Sequence, residues 1–216
     1  MITLEQIPAR WLEILAAVRS KYPGALLGGG CLRDLALGHE AKDLDIFIPT
    51  DAEPGYPALY AAGMGHFAPV LNGYGEGIKD VYEVFNTNVR DFQQPIQLVF
   101  LRHPTLSFDD LFARFDFTIC QIATDGEKVV WSDAFTEDFA AKRFRVHPNC
   151  PQDKLERSRR RVVKFLVKYG PTFEYIDPID GLPVPVGPAL RREDFGALYP
   201  STQLVGDEIR FNEFRL

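Results

Sequence analysis

Apolar residues recur three or four positions apart at Ile7, Trp11, Ile14, Leu15 and Val18, which predicts an opening amphipathic helix. Thr3-Leu4-Glu5-Gln6 before it has capping-box form, a hydroxyl followed three residues later by a glutamine. Tyr22-Pro23-Gly24 should end the helix. Ala25-Leu26-Leu27 then reads as a strand running into Gly28-Gly29-Gly30. A short helix is expected through Arg33–Leu37 to Gly38, and a strand at Leu44–Ile48. Pro54–Gly65 reads as a helix and Asn72–Gly77 as a glycine-rich loop. Val81–Phe85 and Ile96–Leu101 read as strands, Phe108–Ala113 as a helix, and Phe117–Ile122 as a strand. Asp125-Gly126 offers a turn into Val129-Val130-Trp131, hence a hairpin. Helices are expected at Asp133–Lys142 and Lys154–Tyr169. From Pro171 onward proline and glycine are frequent, which predicts an irregular tail wrapped on the body.

Length and composition keep this picture within ordinary globular bounds. The 216 residues, 46% hydrophobic and 25% charged, suffice for one domain and a small appendage. The pattern divides them into a head at 1–150 and a neck-like helix with its tail at 151–216. No apolar run approaches the roughly 20 residues of a membrane span. Glu5, Arg10 and Glu13 interrupt any signal-like stretch in Met1–Val18, so a cytoplasmic protein with no membrane partner is expected. Cys31, Cys120 and Cys150 lie far apart without zinc-like spacing, and reduced thiols are the simplest reading. A net charge of −6 argues against a protein that coats nucleic acid non-specifically, while leaving room for a local basic groove. Nothing in the pattern specifies an oligomeric state.

The segment richest in chemistry is Asp43-Leu44-Asp45-Ile46-Phe47. Side chains alternate along a strand, so Asp43 and Asp45 project together while Leu44 and Ile46 enter the core. Paired carboxylates repel unless a cation neutralises them, and hard oxygen donors suit Mg²⁺, with Mn²⁺ an alternative. An edge strand carrying acids on its wet face would look the same. Upstream, Gly28-Gly29-Gly30 sits between a strand and a helix, where a backbone without Cβ atoms can approach phosphate. Arg33 could contact that phosphate, or bridge Asp34 or Asp43 as a structural ion pair.

Read together, Gly29-Gly30-Cys31-Leu32-Arg33-Asp34-Leu35-Ala36-Leu37-Gly38 and Lys42-Asp43-Leu44-Asp45 form a longer pattern. It closely resembles the head motif of tRNA CCA-adding enzymes and bacterial poly(A) polymerases, G-G-x-V-R-D-x-L-L-G followed by x-D-x-D. The resemblance implies an α+β fold of the DNA polymerase β type, a small mixed sheet flanked by helices, with Asp43 and Asp45 holding catalytic magnesium. It also implies a nucleoside triphosphate on the Gly28–Gly30 loop, with Arg33, Asp34 and Lys42 in the nucleotide site and Arg102 a further phosphate candidate. Arg114-Phe115-Asp116-Phe117-Thr118-Ile119-Cys120 looks like the family's nucleotide-contacting R-R-D-x-T-I-N, with Phe115 and Cys120 as departures. Arg157–Phe165 is similar to its neck helix R-I-L-R-A-x-R-F, which brings in Arg157, Arg160 and Arg161; a solvated amphipathic helix is the competing reading.

One departure bears on activity. The family places a third carboxylate on the strand that here reads Ile96–Arg102, and Gln97 occupies its position. An amide is a poor base or ligand in place of an acid, so Glu83 or Asp116 would have to serve. The expected function is metal-dependent transfer of a nucleoside monophosphate from an NTP to an acceptor hydroxyl. Arg157, Arg159, Arg160, Arg161, Lys164 and Lys168 favour an RNA 3′ end, tRNA-like or other, over a protein side chain or small molecule. The alternative is a nucleotide- or RNA-binding module without catalysis. The body and tail domains with which CCA-adding enzymes measure tRNA have no counterpart in the pattern.

Overall fold

The computed structural model describes residues 1–50, 66–69, 78–85, 95–184, 202–205 and 208–211. The chain divides into two compact units, Met1–Glu137 and Asp138–Leu216. The helix expected at Pro54–Gly65 and the loop at Asn72–Gly77 lie outside the described residues.

In the first unit, helix α1 (Ala9–Arg19) buries Trp11, Ile14, Leu15 and Val18, the stripe the spacing predicts. The Thr3 motif does not cap it. The Thr3 N–H donates to Gln6 Oε1 at 2.8 Å and closes a separate 3₁₀ turn, Leu4–Gln6. Pro8 is the reason: it forces Ile7 into extended backbone (φ −75°, ψ 130°) and breaks the turn from the helix.

A seven-stranded mixed sheet forms the body of this unit. Its strands are β1 (Leu26–Gly28), β2 (Leu44–Thr50), β3 (His66–Pro69), β4 (Ile78–Phe85), β5 (Ile96–Arg102), β6 (Ile122–Thr124) and β7 (Val129–Trp131), in the order β3-β4-β5-β2-β1-β6-β7. Only β2 and β5 run parallel, in register from Leu44↔Ile96 to Thr50↔Arg102. Leu44, Ile46, Ile48, Leu98 and Phe100 are fully buried on one face. Leu26, Phe47, Val99, Leu101 and Ala123 form a core on the other, under Leu111 and Phe112 of α3 (Phe108–Phe112). A parallel pair covered on both faces occupies the centre, as such pairs require.

The polypeptide departs from expectation after α3. Phe117–Ile122 is not one strand: Thr118–Cys120 is a 3₁₀ turn and pairing begins only at Ile122. Thr118, Ile119 and Cys120 are all buried in succession, a pattern that a strand with one wet face cannot satisfy. Gln121 anchors the turn, donating from Nε2 to Phe112 O at 3.0 Å and accepting from Ser132 Oγ at 2.6 Å. The β6–β7 hairpin forms as expected, with Asp125 Oδ1 accepting from the N–H groups of Glu127 and Lys128.

Gly29, between β1 and α2 (Gly30–Ala36), adopts φ 80°, ψ −130°, a conformation open in practice only to glycine. A Cβ there would also lie 3.0 Å from Phe115 Cε1, so the aromatic ring and the glycine require each other.

The second unit begins within α4 (Asp133–Ala140) and centres on Phe144, which is fully buried. Its ring stacks on Phe165 and Tyr169 of α5 (Leu155–Tyr169) at 4.7 and 5.0 Å, and on Tyr175 at 5.4 Å. Two short strands, β8 (Arg143–Phe144) and β9 (Glu174–Tyr175), pair in parallel to bring these rings together. Gly170 (φ 70°) ends α5, and the Tyr175 hydroxyl donates to its carbonyl at 2.8 Å. The tail is therefore less irregular than its proline content predicts. It supplies β9 and an antiparallel pair, β10 (Thr202–Val205) with β11 (Glu208–Phe211).

Two outcomes follow from these packing relations. Gly29→Ala should lose about 2–3 kcal/mol of unfolding free energy in urea, because backbone strain and the Phe115 contact act together. Adding Phe115→Ala should recover part of that loss, and an unchanged urea midpoint for Gly29→Ala would refute the contact. Phe144→Ala should cost about 3–5 kcal/mol by the same measurement.

Candidate active site

The topology carries the glycine turn to the acids. Antiparallel pairing sets Leu26 opposite Phe47 and Leu27 opposite Ile46, so β1 ends at Gly28 heading for Asp45. Asp45 is the second residue of β2 and Asp43 lies just before it, both half-buried, with Leu44 wholly buried between them. Cys31, in the first turn of α2, donates its thiol to Gly28 O at 3.6 Å. Burial, and then the nearby charge of Asp45, push that thiol well above its ordinary range. It is a packed, protonated group beneath the turn.

Arg33 and Asp34 are buried, at 5% and 3% exposure. Arg33 donates from Nε and Nη2 to Asp34 Oδ1 at 2.9 and 2.7 Å, and from Nη1 to Cys120 Sγ at 3.0 Å. Of the readings open for Arg33, the structure supplies the ion pair with Asp34 and adds a link from α2 to the Thr118–Cys120 turn. The sequence shows Cys120 as a reduced thiol and a departure from asparagine, and its spacing gives no sign of that link.

The remaining candidates are distributed. Lys42 is exposed beside Asp43. Arg114 is exposed, Asp116 half-buried and Thr118 fully buried. Phe115 is half-buried against Gly29, its ring edge-on to Phe47 at 5.5 Å. Gln97 is Asp45's register partner across β2 and β5, and Glu83 is Gln97's partner across β4 and β5. Arg102 pairs with Thr50 at the other end of these strands, five residues or about 17 Å from Gln97 and on the opposite face. The strand geometry thus separates Arg102 from the acids. Arg157, Arg160 and Arg161 lie on α5 in the second unit. Arg157 and Arg160 are exposed, and Arg161 lies 5.6 Å over the Phe165 ring.

The donor set suits a hard divalent cation: Asp43 and Asp45 offer carboxylate oxygens at one strand end, beside the Gly28–Gly30 turn, whose Gly29 N–H donates to Ile122 O at 2.9 Å. Among the described residues no group of three or more His, Cys, Asp or Glu could hold a metal ion. Two carboxylates, with water and substrate phosphate completing the shell, is the usual arrangement for Mg²⁺. Among the described residues no helix is long and apolar enough to cross a membrane.

Comparison with known proteins bears on this geometry. A family model described as "Gabija anti-defense 2 family protein" matches residues 5–142. The CCA-adding enzyme of Lactiplantibacillus plantarum is 26% identical over 142 residues, 62% of this chain and 34% of that enzyme. The Thermotoga maritima CCA-adding enzyme complexed with tRNA superimposes with a TM-score of 0.54 at 16% identity, covering 77% of this chain and 38% of that one. A CCA-adding enzyme in apo form gives 0.56 at 17% identity, covering 79% and 41%. A complex of CCA-adding enzyme with ATP gives 0.54 at 17%, covering 77% and 41%. The chain spans about a third of the curated relative's length (34%), and at these structural identities the likeness is one of fold. The chain belongs to the Gabija anti-defense 2 family and has the polymerase β-type nucleotidyltransferase fold of the CCA-adding enzyme head.

Proposed function

We propose that this protein is a metal-dependent nucleotidyltransferase that moves a nucleoside monophosphate from an NTP to an acceptor hydroxyl. The observation that carries the reading is the meeting of Asp43 and Asp45 with the Gly28–Gly30 turn at one end of the sheet. In this reading residues 1–150 are the catalytic head and 151–216 a neck and tail. The turn's backbone would hold the triphosphate, with Lys42, exposed beside Asp43, as a cation for its phosphates. Asp43 and Asp45 would hold Mg²⁺, or Mn²⁺ in its place. The metal, when bound, would supply charge neutralisation on the phosphates. Positioning by the turn and the two acids accounts for the rest of the catalysis.

An RNA 3′ end is the favoured acceptor. Arg157, Arg160, Lys164 and Lys168 are exposed along α5 at spacings of three and four residues, which aligns them as one basic stripe. The neighbouring solved enzyme bound to tRNA and another bound to ATP are consistent with these partners. The family description adds a setting: the acceptor would belong to the contest between the Gabija defence and its inhibitor. A second reading, nucleotide or RNA binding without catalysis, draws on Gln97 beside Asp45 and on Phe115 over Gly29.

Incubation with labelled NTPs, Mg²⁺ or Mn²⁺ and a pool of short RNAs separates the two readings. Label should pass to RNA, and Asp43→Ala should reduce the rate on the order of 10³-fold. The variant's melting temperature should not fall, since one of two like charges is removed. Nucleotide binding with no transfer to RNA, nor to defence-system protein supplied as a second acceptor, would establish the binding module instead.

A further inference from the structure

We infer that Phe115 is the surface on which the base of the nucleotide stacks. This rests on the nucleotide site proposed above and deepens it, and it holds whether that site transfers or only binds.

Asp45 and Phe47 share one face of β2, since side chains alternate along a strand. Phe47 lies two residues past Asp45, about 6.6 Å along the strand. The Phe115 ring stands edge-on to Phe47, with 5.5 Å between centroids and 80° between planes. It also abuts the glycine turn: Cε1 and Cζ of Phe115 lie 3.0 and 3.2 Å from where a Gly29 Cβ would be. One ring therefore adjoins both parts of the site, the strand that carries the acids and the turn proposed for the triphosphate.

The phenylalanines on either side of it in the chain go inward: Phe112 is 4% exposed and Phe117 is wholly buried. Phe115 packs against the core cluster yet keeps part of its surface exposed. A single exposed apolar residue is ordinary. Here it stands beside two carboxylates, and ligand sites join aromatic lining to a few polar groups. A nucleotide has the matching halves, phosphates that seek a cation and a flat base with π-faces.

The ring is also held in place. The Phe115 N–H donates to Phe112 O at 3.2 Å, at the end of α3. Downstream, the Thr118–Cys120 turn is tied to α2 by Arg33 on Cys120, and Gln121 Nε2 ties it to Phe112 O. A surface fixed in advance needs little ordering when a ligand arrives. A phenyl ring has no donor or acceptor, so it holds every base by area and not by hydrogen-bond pattern. Purines, with the larger rings, gain most.

The test separates stacking from packing. Dissociation constants for ATP, CTP and ribose 5′-triphosphate, which lacks a base, are measured by calorimetry with Mg²⁺ and without RNA. The proteins are the wild type, Phe115→Leu and Phe115→Tyr. Leucine keeps an apolar contact with Gly29 and Phe47 but loses the flat ring. Phe115→Leu should weaken ATP about tenfold and CTP less, and leave ribose 5′-triphosphate unchanged. Phe115→Tyr restores an aromatic face and should return ATP to within about threefold of the wild type. Wild-type ATP affinity in Phe115→Leu would overturn the inference. Equal losses for ATP and ribose 5′-triphosphate would also defeat it, because the ring would then only pack the turn. A wild type that binds ATP no more tightly than ribose 5′-triphosphate would refute stacking and leave the metal and phosphate site standing. A wild type that binds neither would refute the nucleotide site, and stacking with it. ATP binding that depends on Phe115 in a protein that transfers nothing would support stacking and remove only the enzymatic reading.

Discussion

The pleat of β2 is the constraint on which the rest of the site depends. Leu44, Ile46 and Ile48 are fully buried on one face, and all seven residues of the strand are in parallel register with β5. Fully burying such a side chain is worth about 1.5–3 kcal/mol, so the three together hold the strand by about 4.5–9 kcal/mol. A one-residue slip would exchange the two faces and turn Asp45 to the side that Leu44 and Ile46 fill. Two carboxylates about 6 Å apart repel by only about 1–3 kcal/mol at the dielectric of water or a protein surface. Packing wins that comparison. Asp43 and Asp45 stay side by side because the core fixes the strand, and the residual repulsion is what a bound cation would relieve.

Local features were legible in the sequence because their causes are local. The spacing of Trp11, Ile14, Leu15 and Val18 shows α1, the alternation around Asp45 shows β2, and Asp125-Gly126 shows the hairpin. The capping box misled because Pro8, outside the motif, sets where the helix begins. The tail misled for a related reason. Its proline and glycine content hid Tyr175, whose ring is held by Phe144, 31 residues earlier at the level of the paired Arg143 and Glu174. The β10–β11 pair had a sequence signal, a two-residue Gly206-Asp207 between alternating runs, but the surrounding composition obscured it.

At the site the same division holds. The glycine triplet and the acid pair are contiguous and could be read directly. The Arg33–Cys120 contact joins residues 87 apart, and Phe115 over Gly29 joins two motifs that the sequence presents separately. Neither could be inferred from spacing. The place of Glu83 opposite Gln97 was hidden as well, because the pairing of β4 with β5 is a contact that spacing along one strand does not show.

The motif as a whole mixes two kinds of residue, and physical cost distinguishes them. Arg33 and Asp34 form a buried pair, and removing either partner would strand a charge at about 3–5 kcal/mol. Gly29 is required by its backbone angle and by Phe115. These residues would be kept by folding alone, so their presence says little about chemistry. Asp43 and Asp45 are different. Both are half-buried at one end of β2 and carry like charges, which a bound cation would neutralise in the proposed reading. In that reading the acid pair, and not the glycine or the buried ion pair, is the part of the pattern that speaks for metal and phosphate.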